Sequence, residues 1–213
     1  MDLDYSLSQM LHIILSPTKV YKMTAWRKQT KNQWARDDPS FILITMLFVM
    51  MSAIAYSLTV RFSNPSYLLS AVFQWPFFAL LAGIVIATVM WYLVNHFMRN
   101  QRPHSPEQFV EWFYALDIHF NAFIPFFLIC GVLQHFLLPL LLRPGWLAVV
   151  CSDLLIIAGI ACYTYITFLG YMYLPFVKTP FVMLLVGGCV CCVVLCLMMC
   201  GVNLTEWWLR QYF

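Results

Sequence analysis

The chain has 213 residues, 62% of them hydrophobic and 10% charged, with a formal net charge of +3. An ordinary soluble domain carries about 25% charged residues, so this composition excludes one. The small total charge says little, and its distribution along the chain says more.

Phe41–Val60, Tyr67–Val94, Phe120–Leu142 and Phe181–Val202 contain no Lys, Arg, Asp or Glu, and Trp146–Phe176 contains only Asp153. A bilayer core about 30 Å thick needs roughly twenty apolar residues of helix. Backbone polar groups in lipid must pair internally, so such runs are helical. The expected fold is all-α, a polytopic membrane helical bundle with spans at about 41–60, 70–94, 120–142, 146–170 and 181–202. Residues 1–40 form a cytosolic amphipathic and basic segment in this reading, and 203–213 a lumenal tail.

The first residues, MDLDYSLSQMLHIIL, lack a basic region and a small-residue cleavage site, so 41–60 is expected to act as the first signal-anchor. Within residues 3–15, Leu7, Met10, Leu11 and Ile14 recur at helical spacing. The pattern predicts a short amphipathic helix, either on the cytosolic membrane surface or against the ends of the spans. Both placements would bury the same face. Ser16-Pro17 starts a second helix carrying Lys19 and Lys22. Asp38-Pro39 signals the start of the first span.

Asn64-Pro65 marks a turn after the first span. Pro76 interrupts the second span, where Gly83 and Ala87 share a face at the spacing used for close packing. Ser105-Pro106-Glu107-Gln108 reads as a capping box opening a helix that runs through Glu111 into the third span. Pro125 and Pro139 lie inside that span, Arg143-Pro144-Gly145 is a turn, and Gly170 and Pro175 punctuate the end of the fourth span.

Lys19, Lys22, Arg27, Lys28, Lys31, Arg36, Arg99, Arg102 and Lys178 fall on one side of a five-span layout, and Arg61, Arg143 and Arg210 on the other. The bias predicts a cytosolic N-terminus and a lumenal C-terminus.

All eight cysteines lie in or beside spans, which argues against a disulfide framework. Cys192, Cys196 and Cys200 share one helix face and read as packing residues. Asn203-Leu204-Thr205 is a glycosylation sequon so close to the last span that poor access is expected.

Three polar constellations remain. The first is the juxtamembrane block holding Arg27, Lys28, Lys31, Trp34, Arg36, Asp37 and Asp38. Its cations suit anionic lipid of the cytosolic leaflet, each worth about 1 kcal/mol, and Trp34 suits the interface. A topology anchor is the plain reading. Asp37 and Asp38 fit better with a folded cap containing ion pairs, or with a protein-docking surface. The second is a polar cluster at the entrance of the third span: Glu111, Asp117, His119 and Asn121. Asp117 and Asn121 share a face and His119 points elsewhere. Arg99, Arg102 or Lys178 are candidate partners for Asp117, and His96 and His104 lack metal-ligand spacing. The third is Asp153, which needs a donor such as Gln74, Gln134 or His135. No cofactor, metal or catalytic motif is expected. A small membrane transporter or enzyme is the alternative, and it requires Asp117, His119, Asn121 and Asp153 to converge.

Ser16-Pro17, Val20-Tyr21, Arg27-Lys28-Gln29-Thr30-Lys31, Gln33-Trp34-Ala35-Arg36-Asp37-Asp38-Pro39 and Phe41 together resemble the signature of the Unc-fifty (uncoordinated-fifty) family of Golgi membrane proteins. Glu111-Trp112, Tyr114-Ala115, Asp117, His119, Asn121-Ala122-Phe123 and Pro125 are similar to its middle block. Tyr165, Thr167-Phe168-Leu169-Gly170-Tyr171, Leu174-Pro175-Phe176 and Lys178 are similar to its third. The resemblance implies a five-span Golgi protein that recruits a guanine-nucleotide exchange factor for Arf GTPases and supports delivery of receptor cargo to the cell surface. It also implies RNA binding, and it shifts the basic block from anchor toward docking surface.

Overall fold

The computed structural model describes residues 2–60, 65–100 and 108–212. Among the described residues there is no strand, and the chain is a bundle of helices. In order these are α1 (Leu3–Leu15), α2 (Pro17–Lys31), α3 (Ser40–Val60), α4 (Pro65–Leu93), α5 (Trp112–Phe127), α6 (Gln134–Leu141), α7 (Trp146–Met172), α8 (Phe181–Met199) and α9 (Leu204–Tyr212). Five segments are long and apolar enough to cross a membrane: Ser40–Val60, Leu69–Met98, Trp112–Leu141, Trp146–Met172 and Phe181–Met199. The chain is a multi-pass membrane protein.

Local chemistry sets the boundaries. Asp2 caps α1, its carboxylate accepting the Tyr5 N–H at 3.0 Å. Pro17 occupies the first turn of α2, where its missing N–H costs nothing. Asn32 ends α2 in the left-handed conformation, φ 57°. Asp38 accepts the Ser40 N–H at 3.0 Å and so starts α3.

The third span changes pitch between its prolines. Pro125 lies in α5 and Pro139 in α6, joined by a π-helical segment, Leu128–Leu133. A π turn disturbs the regular backbone ladder, and the Tyr56 hydroxyl donates to the Gly131 carbonyl within it at 3.0 Å.

The expected helix through Glu111 is not formed. Gln108–Val110 is non-helical and the helix starts at Trp112. Asn95 is the reason: its side-chain amide donates to the Val110 carbonyl at 3.1 Å and its oxygen accepts the Val110 N–H at 2.8 Å. Both backbone groups that a helix would use are thus engaged. Ser105–Glu107, Arg102, His104, Arg61 and Asn64 lie outside the described residues.

The face of α1 also differs from expectation. Ser6, Gln9, Met10 and Ile13 are buried against the bundle, whereas Leu7, Leu11 and Ile14 face outward. Packing on the spans and contact with a membrane surface therefore use different faces.

In lipid, helices associate through close packing rather than hydrophobic burial. Gly83 is such a position: a Cβ there would lie 3.0 Å from the His119 ring. Gly170 is another. It does not end α7, which continues to Met172, but lets α5 approach so closely that a Cβ would lie 2.8 Å from Ile118. Cys192 and Cys196 on α8 and Cys200 just after it correct the packing expectation, since all three are exposed. That helix packs on α7, and small apolar side chains serve equally well facing lipid.

The α1–α2 pair lies at one end of the bundle, and α9 closes the other. Ser6 and Ser40 hydroxyls meet at 2.5 Å at the first end. Asn203 donates to the Leu141 carbonyl at 2.7 Å at the second.

Candidate functional site

The α1–α2 end is a folded cap fastened by the segment between α2 and α3. Glu111, just before α5, accepts the Trp34 N–H at 3.0 and 3.2 Å and the Ala35 N–H at 3.2 Å. Lys28 completes that carboxylate's shell at 3.4 Å. Two turns further along, Asp117 accepts the Arg36 N–H at 2.7 Å. Three consecutive backbone donors of the linker are thereby held by two carboxylates at the entrance of the third span. Bonds from charged acceptors are worth about 1.5–3 kcal/mol each.

The side chains complete the lock. The Arg36 guanidinium lies 3.9 Å over the Phe41 ring, and its Nη2 donates to the Asn121 Oδ1. Its Nη1 is buried without a partner. Burial pushes the Arg36 pKa down from its ordinary value, and the Asp117 charge pushes it back up. Trp34 is 7% exposed. It sits between Tyr114, 5.9 Å away, and Phe176, 6.4 Å away, so it is core rather than interface.

One tyrosine ties this cap to α7, and another ties α5 to it. The Tyr21 hydroxyl donates to the Ile166 carbonyl at 3.1 Å, and the Tyr114 hydroxyl to the Gly170 carbonyl at 2.8 Å. The segment after α7 adds a short antiparallel pairing: the Asn100 N–H meets the Phe176 carbonyl, and the Lys178 N–H meets the Met98 carbonyl, both at 2.7 Å.

The outward surface of the cap is different in kind. Arg27 Nη2 donates to the Tyr5 hydroxyl at 3.2 Å, and Lys31 is paired with Asp37. The Lys31 and Asp37 side chains are 60% and 43% exposed. Asp38 accepts the Asp2 N–H at 2.6 Å as well as the Ser40 N–H, and these two bonds hold its carboxyl below the usual range. A groove of about 370 Å³ runs between α1, α2 and the linker, bordered by Tyr5, Met23, Trp26, Arg27, Lys31 and Asp37.

The structure thus brings Glu111, Asp117 and Asn121 together with the basic block. Asp117 takes a backbone donor from Arg36. His119 is turned away, as its position predicts. Its Nδ1 meets the Tyr163 hydroxyl at 2.8 Å, its ring covers Gly83, and its Nε2 is buried without a partner.

Asp153 belongs to the opposite end. It accepts the Leu204 N–H at 3.2 Å, and Gln74, Gln134 and His135 do not supply that bond. Gln134 joins an adjacent network instead: its amide donates to Thr205 Oγ1 at 3.0 Å, and Thr205 meets Ser152 Oγ at 2.6 Å. Gln134 and Asp117 are seventeen residues apart on one span, about 25 Å at the helical rise. Asp117, His119, Asn121 and Asp153 therefore do not surround one cavity. Among the described residues, no three His, Cys, Asp or Glu side chains are grouped to hold a metal ion.

Sequence reasoning did not find the tyrosine ties to α7 or the Ser152–Thr205–Gln134 network. The sequon held a readable signal for part of it. Asn203 and Glu206 have the spacing of a helix start, and Asn203 Oδ1 accepts the Glu206 N–H at 3.1 Å.

The fold and this site define a five-span membrane protein whose N-terminal helices form a carboxylate-fastened cap on one end of the bundle. The profile described as UNC-50 family matches residues 1–213. Protein unc-50 homolog of Dictyostelium discoideum is 40% identical over 216 residues, covering 100% of this chain and 82% of that protein. Protein unc-50 of Caenorhabditis elegans is 38% identical over 178 residues, covering 82% of this chain and 57% of that protein. Protein unc-50 homolog B of Xenopus laevis is 37% identical over 188 residues, covering 86% of this chain and 71% of that protein. No solved structure matches the chain. The chain belongs to the UNC-50 family.

Proposed function

We propose that this protein is a Golgi trafficking factor whose α1–α2 cap faces the cytosol. In this reading the cap recruits an Arf guanine-nucleotide exchange factor, and the protein supports transport of receptor cargo to the cell surface. One observation carries the proposal. The basic block divides into an inner set that builds the cap (Lys28, Trp34, Arg36 with Glu111, Asp117 and Asn121) and an outer set left at its surface (Arg27, Lys31, Asp37). A rigid surface of mixed charge beside exposed Trp26 and Met23 suits a protein partner, because aromatic and Arg anchors dominate protein interfaces.

The orientation rests on the Lys and Arg bias toward the α1–α2 end. Anionic lipid of the same leaflet is the natural contact of Lys19 and Lys22, both exposed on α2. RNA is not part of the proposal: a phosphate-tracking surface needs a run of unpaired cations, and within the basic block Lys28 and Lys31 are paired with carboxylates, leaving only Lys19 and Lys22 exposed and outside such pairs on α2 among the described residues. Nor does an enzyme or transporter reading gain support, since its polar residues are split between the two ends.

The test is binding of a purified Arf exchange factor to the full chain in nanodiscs. Arg27→Glu with Lys31→Glu should weaken binding at least tenfold while the protein elutes and melts as wild type. Unchanged binding would overturn the proposal.

A further inference from the structure

The α9 end holds a cavity of about 470 Å³ that the cap does not use. It is bounded by α3, α4, the third span and α7, and α9 closes its end. Its walls are mainly aromatic, with Tyr56, Trp75, Phe126, Phe127 and Trp207 among them. Gln134 and Thr205 contribute polar groups at the closed end, where they are bonded to each other at 3.0 Å. No Lys, Arg, His, Asp or Glu lines it among the described residues.

The cavity is open to its surroundings. α4 and α7 both pack on α5 without comparable packing on each other. The lining residues Phe78 and Trp207 are 50% and 57% exposed. Phe78 lies within the second span, which puts that side of the cavity at membrane depth. Water has few partners along such walls, so the bilayer supplies the occupant.

Its chemistry selects among lipids. A phospholipid headgroup carries a phosphate and seeks a cation, yet the lining holds none among the described residues. A neutral hydroxyl fits the closed end, where it can donate to the Gln134 amide oxygen; the Gln134 amide N–H and the Thr205 hydroxyl are already engaged with each other and with Ser152. A rigid apolar body fits the aromatic walls and loses little freedom on binding. Tryptophans at this end match the depth at which an amphipathic lipid places its polar tip. We propose that this cavity is a sterol-binding site, with the sterol rings against Trp75, Phe126 and Phe127 and its hydroxyl on Gln134. It lies at the opposite end from the cap, so its test is independent of exchange-factor recruitment.

The experiment places the full chain in phosphatidylcholine nanodiscs containing a photoreactive diazirine cholesterol and maps adducts by mass spectrometry. A parallel disc carries a diazirine acyl phosphatidylcholine. Adducts should concentrate on the cavity lining and fall at least fivefold with excess unlabelled cholesterol. They should fall likewise in Ala79→Trp and in Ser52→Phe, which fill the cavity from different helices. If either variant fails to fold, the other variant and the wild-type competition decide. Adducts spread over the outward faces of α4 and α8, adducts that cholesterol does not displace, or equal labelling of the cavity by the acyl probe would each overturn the proposal.

Discussion

The Arg36 backbone N–H donates to the Asp117 carboxylate at 2.7 Å, joining residues eighty-one positions apart. This bond sets the linker's last anchored residue over the start of the third span. Its neighbour Glu111 fixes the two preceding residues. The cap is consequently part of the bundle's fold rather than a tethered arm.

Asp117→Ala removes that acceptor and leaves Arg36 without its nearest negative charge. The expected cost is about 1.5–3 kcal/mol, concentrated in the cap. Hydrogen exchange of the Arg36 amide should rise at least tenfold while amides of α8 stay protected. Uniform loosening of the whole bundle would show that the bond stabilises more than the cap.

Gly170→Ala puts a methyl within 2.8 Å of Ile118. Overpacking of this kind costs about 1–3 kcal/mol. The same substitution at Gly188, where nothing lies within 4 Å, should be close to neutral. Thermal melts in mild detergent separate the two, and Ile118→Val should recover part of the Gly170→Ala loss.

Asn203 is a helix cap with both side-chain groups engaged, to the Leu141 carbonyl and the Glu206 N–H. Thr205 is fully buried. The sequon should therefore carry no glycan when the chain is expressed in glycosylating cells, read as unchanged gel mobility after glycosidase. Asn203→Ala should cost about 1 kcal/mol of stability.

The spans, the Asp38-Pro39 start of α3 and the helix over residues 3–15 were legible because hydrophobic length and capping chemistry are local signals. The pairing of the linker with the third span was not. Glu111 and Asp117 lie some eighty residues from their donors, and no local pattern joins them. The rotation of each span was equally hidden, since a helix apolar all round gives no preferred face. Cys192, Cys196 and Cys200 were misread for that reason. Ser105–Gln108 carries a good helix-start pattern, but the Asn95 side chain holds Val110 in a non-helical bridge that no capping rule anticipates.

The most direct test of the cap as a docking surface is proximity labelling in cells. Wild type is compared with the Arg27→Glu, Lys31→Glu variant at matched membrane abundance. The account predicts that an Arf exchange factor disappears from the variant's labelled set while its other neighbours remain. An unchanged set would contradict it and leave the block as a structural cap alone.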